Sequence, residues 1–175
     1  VNPEEGTVDR SSNLGWSGVR IADMLRKATG VNVSVVNISD AAALAEQRAA
    51  GPGASSDLVY LNLSTGIGAG IITGGRVFSG AHGYAGEIGH TPVQGCEGAL
   101  CRCGRHGCME AVCGRSAVVR SVNEALGRAP NAHVDVAGLL DGPHGSTDSV
   151  CVAIHRVAVV TGRAVATLAS LFDTG

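Results

Sequence analysis

His90, Cys101, Cys103 and Cys108 stand in the spacing His-x10-Cys-x-Cys-x4-Cys. Thiolates and imidazole suit a tetrahedral zinc ion, and three cysteines with one histidine are a common structural set. Gly104 and Gly107 lie between the last ligands and let the chain wrap tightly round an ion. Zinc there would replace the apolar core that this stretch lacks, so it is expected to stabilise the fold locally. Reduced thiols without an ion, or a redox-active pair, are the competing readings of Cys-x-Cys. Cys96, Cys113 and Cys151 read as small buried hydrophobes, with Cys96 a substitute ligand. A nucleic-acid zinc ribbon needs two Cys-x-x-Cys knuckles and basic flanks, and a single irregular cluster does not supply them.

Periodicity and punctuation give the elements that must hold these residues. Residues 1–16 are polar and turn-rich. Ser17 is a candidate N-cap, and Ile21, Met24, Leu25 and Ala28 follow at helical spacing, with Gly30 as the stop. Residues 31–36 are β-rich and lead to Asn37. Ser39 can cap a second helix over 40–50. The Gly- and Ser-rich stretch 51–56 reads as a break, dividing the chain into lobes at 1–56 and 57–175. Strands are expected over 57–64, 68–73 and 76–79, the last two joined by the hairpin signal Gly74-Gly75. Residues 80–114 form a long irregular loop, which in a compact domain needs a function or a staple. Helices are expected over 115–126, 134–140 and 149–172, so the chain is α/β.

The 175 residues are 45% hydrophobic but 3% aromatic, so the core must be built from aliphatic side chains. Most of the 26 glycines lie between Gly51 and Gly114 without a repeat, pointing to tight turns and close backbone contact. Net charge is −2 and no basic run exceeds Arg26-Lys27, which argues against nucleic-acid binding by this chain itself. No apolar run approaches the roughly 20 residues that span a bilayer, and the amino terminus carries no signal peptide. No membrane partner and a cytoplasmic location are expected, with the cysteines reduced or ligating metal.

Gly86-Glu87-Ile88-Gly89-His90, followed by Cys101-Arg102-Cys103-Gly104-Arg105-His106-Gly107-Cys108-Met109-Glu110, resembles the signature of the ROK family of repressors, open reading frames and kinases. The resemblance extends through Leu63-Ser64-Thr65-Gly66-Ile67-Gly68-Ala69-Gly70, through residues 37–46 and through Asn13-Leu14-Gly15-Trp16. It implies an actin-like ATPase (ribonuclease H-like) fold, present here as part of two lobes with a zinc-binding loop. By the same resemblance His90 meets zinc through one ring nitrogen and a sugar hydroxyl through the other. Asn37, Glu87 and Glu110 match further sugar-contacting positions. Thr65, Gly66 and Gly68 match the family's second phosphate-contacting turn. The chemistry is apt, because a hexose offers several hydroxyl donors to carboxylates, an imidazole and an amide, and zinc would orient the imidazole. Read alone, Glu110 is an exposed carboxylate and Asn37 a turn residue.

In ROK kinases an aspartate follows the asparagine matching Asn37 and serves as general base. Here that position is Ile38, which cannot accept a proton. Asp40 lies two residues late and otherwise reads as a first-turn acid favoured by the helix dipole. Ser64 stands where kinases have glycine and crowds the phosphate turn. The family's Asp-x-Gly-x-Thr motif, its adenosine segment and a DNA-binding winged helix are all expected outside this chain, which reads as a fragment. The resemblance thus implies the sugar-binding domain of a transcriptional regulator that takes a hexose or N-acylhexosamine, meets DNA through another segment and forms a homo-oligomer. An ATP-dependent hexose kinase and a non-catalytic zinc-stabilised scaffold are the alternatives.

Overall fold

Two four-residue segments near the amino terminus pair as an antiparallel hairpin, β1 (Val8–Ser11) and β2 (Trp16–Val19), with Val8 opposite Val19 and Arg10 opposite Ser17. The sequence suggested only turns here, because strands this short carry little two-residue period. The computed structural model describes residues 1–11, 14–135 and 148–173. Helix α1 (Ile21–Thr29) ends as expected at Gly30, which takes a left-handed φ of 72° and donates its amide to the Arg26 carbonyl. Its start differs: Ser17 pairs within β2, and Arg20 holds the cap position without a side-chain cap bond.

Residues 31–36 form no strand, since β propensity is realised only against a neighbour to pair with. Helix α2 (Ile38–Ala49) starts two residues before the expected point. Asn37 is its cap, with Oδ1 accepting the Ser39 amide at 2.8 Å, so Ser39 is the capped residue rather than the cap. A three-stranded sheet follows in the order β3 (Leu58–Leu63), β4 (Ile67–Thr73), β5 (Arg76–Val77). Gly74 and Gly75 join the antiparallel β4 and β5, both with positive φ. Ala69, Ile71 and Ile72 of β4 are buried. Helix α2 lies so close to this strand that a Cβ on Gly70 would fall on the Ser39 carbonyl, with Ala43 fully buried beside it.

One compact unit comprises Val1–Asn62 and Gly68–Glu87, with Phe172 and Asp173; the other comprises Leu63–Ile67 and Ile88–Leu171. The second unit holds the irregular loop, a 3-10 turn (Ile88–His90), α3 (Glu110–Cys113), α4 (Arg115–Ala125) and α5 (Asp148–Phe172). Cys96, Met109 and Val122 are fully buried there, and Val160, Ala164 and Leu168 form the inward stripe of α5. Arginines on α5 staple the loop: Arg156 donates twice to the Gly95 carbonyl at 2.8 and 3.2 Å, and Arg163 to that of Gln94 at 2.7 Å. The helix expected over 134–140 falls largely outside the described residues.

The expectation of no membrane-length segment needs correction. Ser149–Phe172 is long and apolar enough to cross a membrane by length and composition, with mean hydropathy 1.4 over an 18-residue stretch of which 17% is buried. Its Ala, Val and Leu are interrupted by Thr, Gly and two arginines, so no uninterrupted run appears in the sequence.

Candidate functional site

The bridges Pro92–Cys108 and Leu100–His106 fold the irregular loop back on itself, and the His90 3-10 turn is tied in where Met109 donates to the Thr91 carbonyl at 3.1 Å. This brings together residues 18 apart in sequence. The donor atoms of His90, Cys101, Cys103 and Cys108 all lie within 4.8 Å of one another, with Cys101 and Cys108 buried and the other two half-buried. Cys103 Sγ is 3.7 Å from Cys108 Sγ, and His90 Nδ1 is 3.6 Å from Cys101 Sγ. A tetrahedral zinc with ordinary bond lengths would separate two sulfurs by about 3.8 Å and a sulfur from a nitrogen by about 3.6 Å. The four residues therefore fit one four-coordinate ion. Nδ1 faces the cluster, which leaves Nε2 of His90 for another partner.

The thiols are electrically unlike one another. Amide and guanidinium of Arg105 bring Cys103 down to about 6. Burial pushes Cys108 up to about 12 and raises Cys101 as well. Arg105 was not among the residues singled out from the sequence; its place between two ligands is the signal that marks it. Cys96, at about 11 through burial, and buried Cys113 lie outside the cluster, as small core residues, whereas Cys151, expected to be buried like them, is exposed on α5.

Thr65 and Gly66 form the bend between β3 and β4, and Gly68 lies within β4. Ser64 has no left-handed backbone, so glycine is not demanded there; its side chain adds bulk rather than strain. Glu110, the first residue of α3, accepts the Ile67 amide at 2.9 Å through Oε2. No sequence signal could have joined residues 43 apart. A cleft of about 690 Å³ in the same unit is lined by Ser64, Cys113, Arg115, Val118 and His133.

In the other unit Asn37 is half-buried at the head of α2, and Ile38 beside it is 73% exposed. Asp40, in the first turn, lines an apolar cleft of about 360 Å³ with Val36, Leu44 and Val77. Burial raises its proton affinity, and the neighbouring Glu87 carboxylate adds to the rise.

The ROK family model matches residues 1–175. This chain belongs to the ROK family. Its fold is accordingly the actin-like ATPase fold, present in part, and the Cys/His cluster is of the ROK zinc-motif kind. ROK relatives divide by activity. The glucokinase of Halalkalibacterium halodurans is 35% identical over 72% of this chain and 38% of its own length. The xylose repressor of Caldicellulosiruptor bescii is 34% identical over 72% of this chain and 31% of its own. A crystal structure of the ROK glucokinase from Streptomyces griseus, in complex with glucose and AMPPNP, has a TM-score of 0.79 at 30% identity and covers 99% of this chain and 59% of that one. The chain thus spans 31–59% of these ROK proteins, and the match to the solved glucokinase runs through α5.

Proposed function

We propose that the chain is the sugar-binding, zinc-containing core of a ROK transcriptional regulator. Ile38 carries this reading. An exposed isoleucine occupies the position that follows Asn37, where ROK kinases place the general base, and an alkyl side chain can take no proton from a hydroxyl. Zinc held by His90, Cys101, Cys103 and Cys108 would stabilise the loop and fix the His90 ring, and the ion itself supplies no step. Glu87, His90 through Nε2 and Glu110 would receive or share the hexose hydroxyls. Asn37 spends Oδ1 on its helix cap and so would meet the sugar as a donor through Nδ2. In this reading residues 1–56 close the first lobe and 57–175 build most of the second. A winged helix elsewhere in the longer protein contacts DNA, the protein is a homo-oligomer, and sugar shifts the balance between arrangements of different operator affinity.

A second reading, an ATP-dependent hexose kinase, is favoured by two observations. Asp40 has raised proton affinity beside Glu87, as a displaced base would need. The cleft of about 690 Å³ at Ser64 and Arg115 falls in the general size range of small-molecule and cofactor sites, large enough to admit a nucleotide. One preparation of the longer protein decides between them. Calorimetry with glucose and N-acylhexosamines should show binding, while the same sample with ATP shows negligible sugar phosphate. Robust turnover would replace the regulator reading with the kinase, with Asp40→Asn then expected to abolish it.

A further inference from the structure

We propose that Glu110 is a positioning residue that couples the metal loop to the 64–67 turn, so that the ion governs the order of a turn that gives it no ligand. The inference rests on the metal reading above.

The coupling begins at the ligands. Cys108 is followed directly by Met109, which is fully buried and donates its amide to Thr91, the neighbour of His90. Val93 donates to the Gly107 carbonyl at 3.1 Å, closing the same region from the other side. An ion shared by His90 and Cys108 therefore pins the backbone from which Glu110 projects. The carboxylate of Glu110 then reaches the Ile67 amide. Ile67 is 4% exposed, so without this acceptor its N–H would be a buried donor with no water at hand.

The turn is gripped at its other end as well. Arg115 donates its amide to the Ser64 carbonyl at 3.0 Å. Between the two grips Gly114 lies against the turn: a Cβ there would stand 2.7 Å from the Glu110 carbonyl oxygen and 3.3 Å from that of Thr65. A cavity of about 70 Å³ runs from Cys101 past Glu110 to Thr65, so a metal ligand and the turn line one space. Residues 110–115 are thus a clasp, with Arg115 holding Ser64 and Glu110 holding Ile67. The Arg115 grip is backbone only. The Glu110 grip is a side chain set at the edge of the metal site, and it is the one that metal loss would loosen.

The test uses the full-length protein, with metal measured by atomic emission and amide hydrogen exchange read at Ile67. The Phe78 amide, bonded to Ile71 at 2.8 Å in the other unit, is the internal control. Chelation in the parent should speed exchange at Ile67 by about ten-fold or more while Phe78 is unmoved. Glu110→Ala should speed Ile67 by a similar factor with metal still bound, and chelation should then add little. Glu110→Gln, whose side-chain oxygen can accept the same bond, should restore protection, and Glu110→Asp, one methylene shorter, should not. Should Glu110→Ala fail to fold, the Gln and Asp variants carry the comparison alone. Unchanged Ile67 exchange in Glu110→Ala or Glu110→Asp, or an equal effect of chelation in the parent and in Glu110→Ala, overturns the coupling. Failure to take up zinc overturns the metal reading instead, and the emission measurement separates the two.

Discussion

Two positions at the head of α2, separated only by Ser39, carry the functional question. Ile38 projects an alkyl group into solvent, while Asp40 is half-buried in the first helical turn. If Ile38 occupies the base position, Ile38→Asp should gain measurable ATP-dependent phosphorylation and leave hexose affinity within a few-fold of the parent. A missing base typically costs roughly 10²–10⁴-fold in rate, so even a weak product signal in a coupled assay is informative; no gain would place the register in doubt. Asp40 gives a stability prediction of definite sign. Its folded proton affinity is raised by burial and then by Glu87, so its contribution is favourable below the ordinary aspartate range and lost as pH rises through the raised value. Asp40→Asn should therefore be more stable than the parent near pH 7, with the advantage vanishing towards pH 3.8, the ordinary value. Urea titrations at both pH values check this. The sequence marks Asn37 as a turn or sugar-contacting residue and does not reveal its capping role. Ser39 and Asn37 are equally good caps in sequence, and only the helix start at Ile38 decides between them.

Among the elements, those with strong local signals were legible: α1 with its glycine stop, the β4–β5 hairpin, α4 and α5. The metal cluster was legible because donor type and spacing are local. The β1–β2 hairpin was not, since each strand is four residues long, and residues 31–36 misled because propensity says nothing about available partners. Contacts made by backbone proximity were hidden as well. Gly70 lies against the Ser39 carbonyl, so Gly70→Ala should push α2 off β4 and cost about 1–3 kcal/mol in chemical denaturation. The metal loop gives a pH prediction. In the free protein Cys108, at about 12, and the raised Cys101 hold their protons at pH 7, while Cys103, at about 6, is mostly ionised. An ion requires all three as thiolates, so uptake should release about two protons and lose about a hundred-fold in affinity per pH unit lowered near neutrality. Calorimetry in buffers of different ionisation heat counts those protons; release of none would contradict the assigned ligands.

For the whole molecule the regulator reading predicts linkage. If sugar and DNA each prefer one arrangement, hexose must change operator affinity by the same factor that operator changes hexose affinity. Mobility-shift assays with and without sugar, paired with calorimetry with and without operator, should agree; sugar that binds yet leaves DNA affinity untouched would remove the effector role. Helix α5 ties into this scale, because its two arginines hold the carbonyls beside the metal loop while its outer face keeps Val152, Val165 and Leu171 exposed. The 3.7 Å between Cys103 and Cys108 has a consequence for the life of the protein outside a reducing medium. With an ion in place both sulfurs are occupied. Without one, the more acidic thiol is a ready nucleophile next to a second sulfur, and mild oxidants should weld the two into a disulfide. Stripped protein left in air would then refuse zinc until a reductant is added, so the time it spends in oxygen sets how much of a preparation reloads without one.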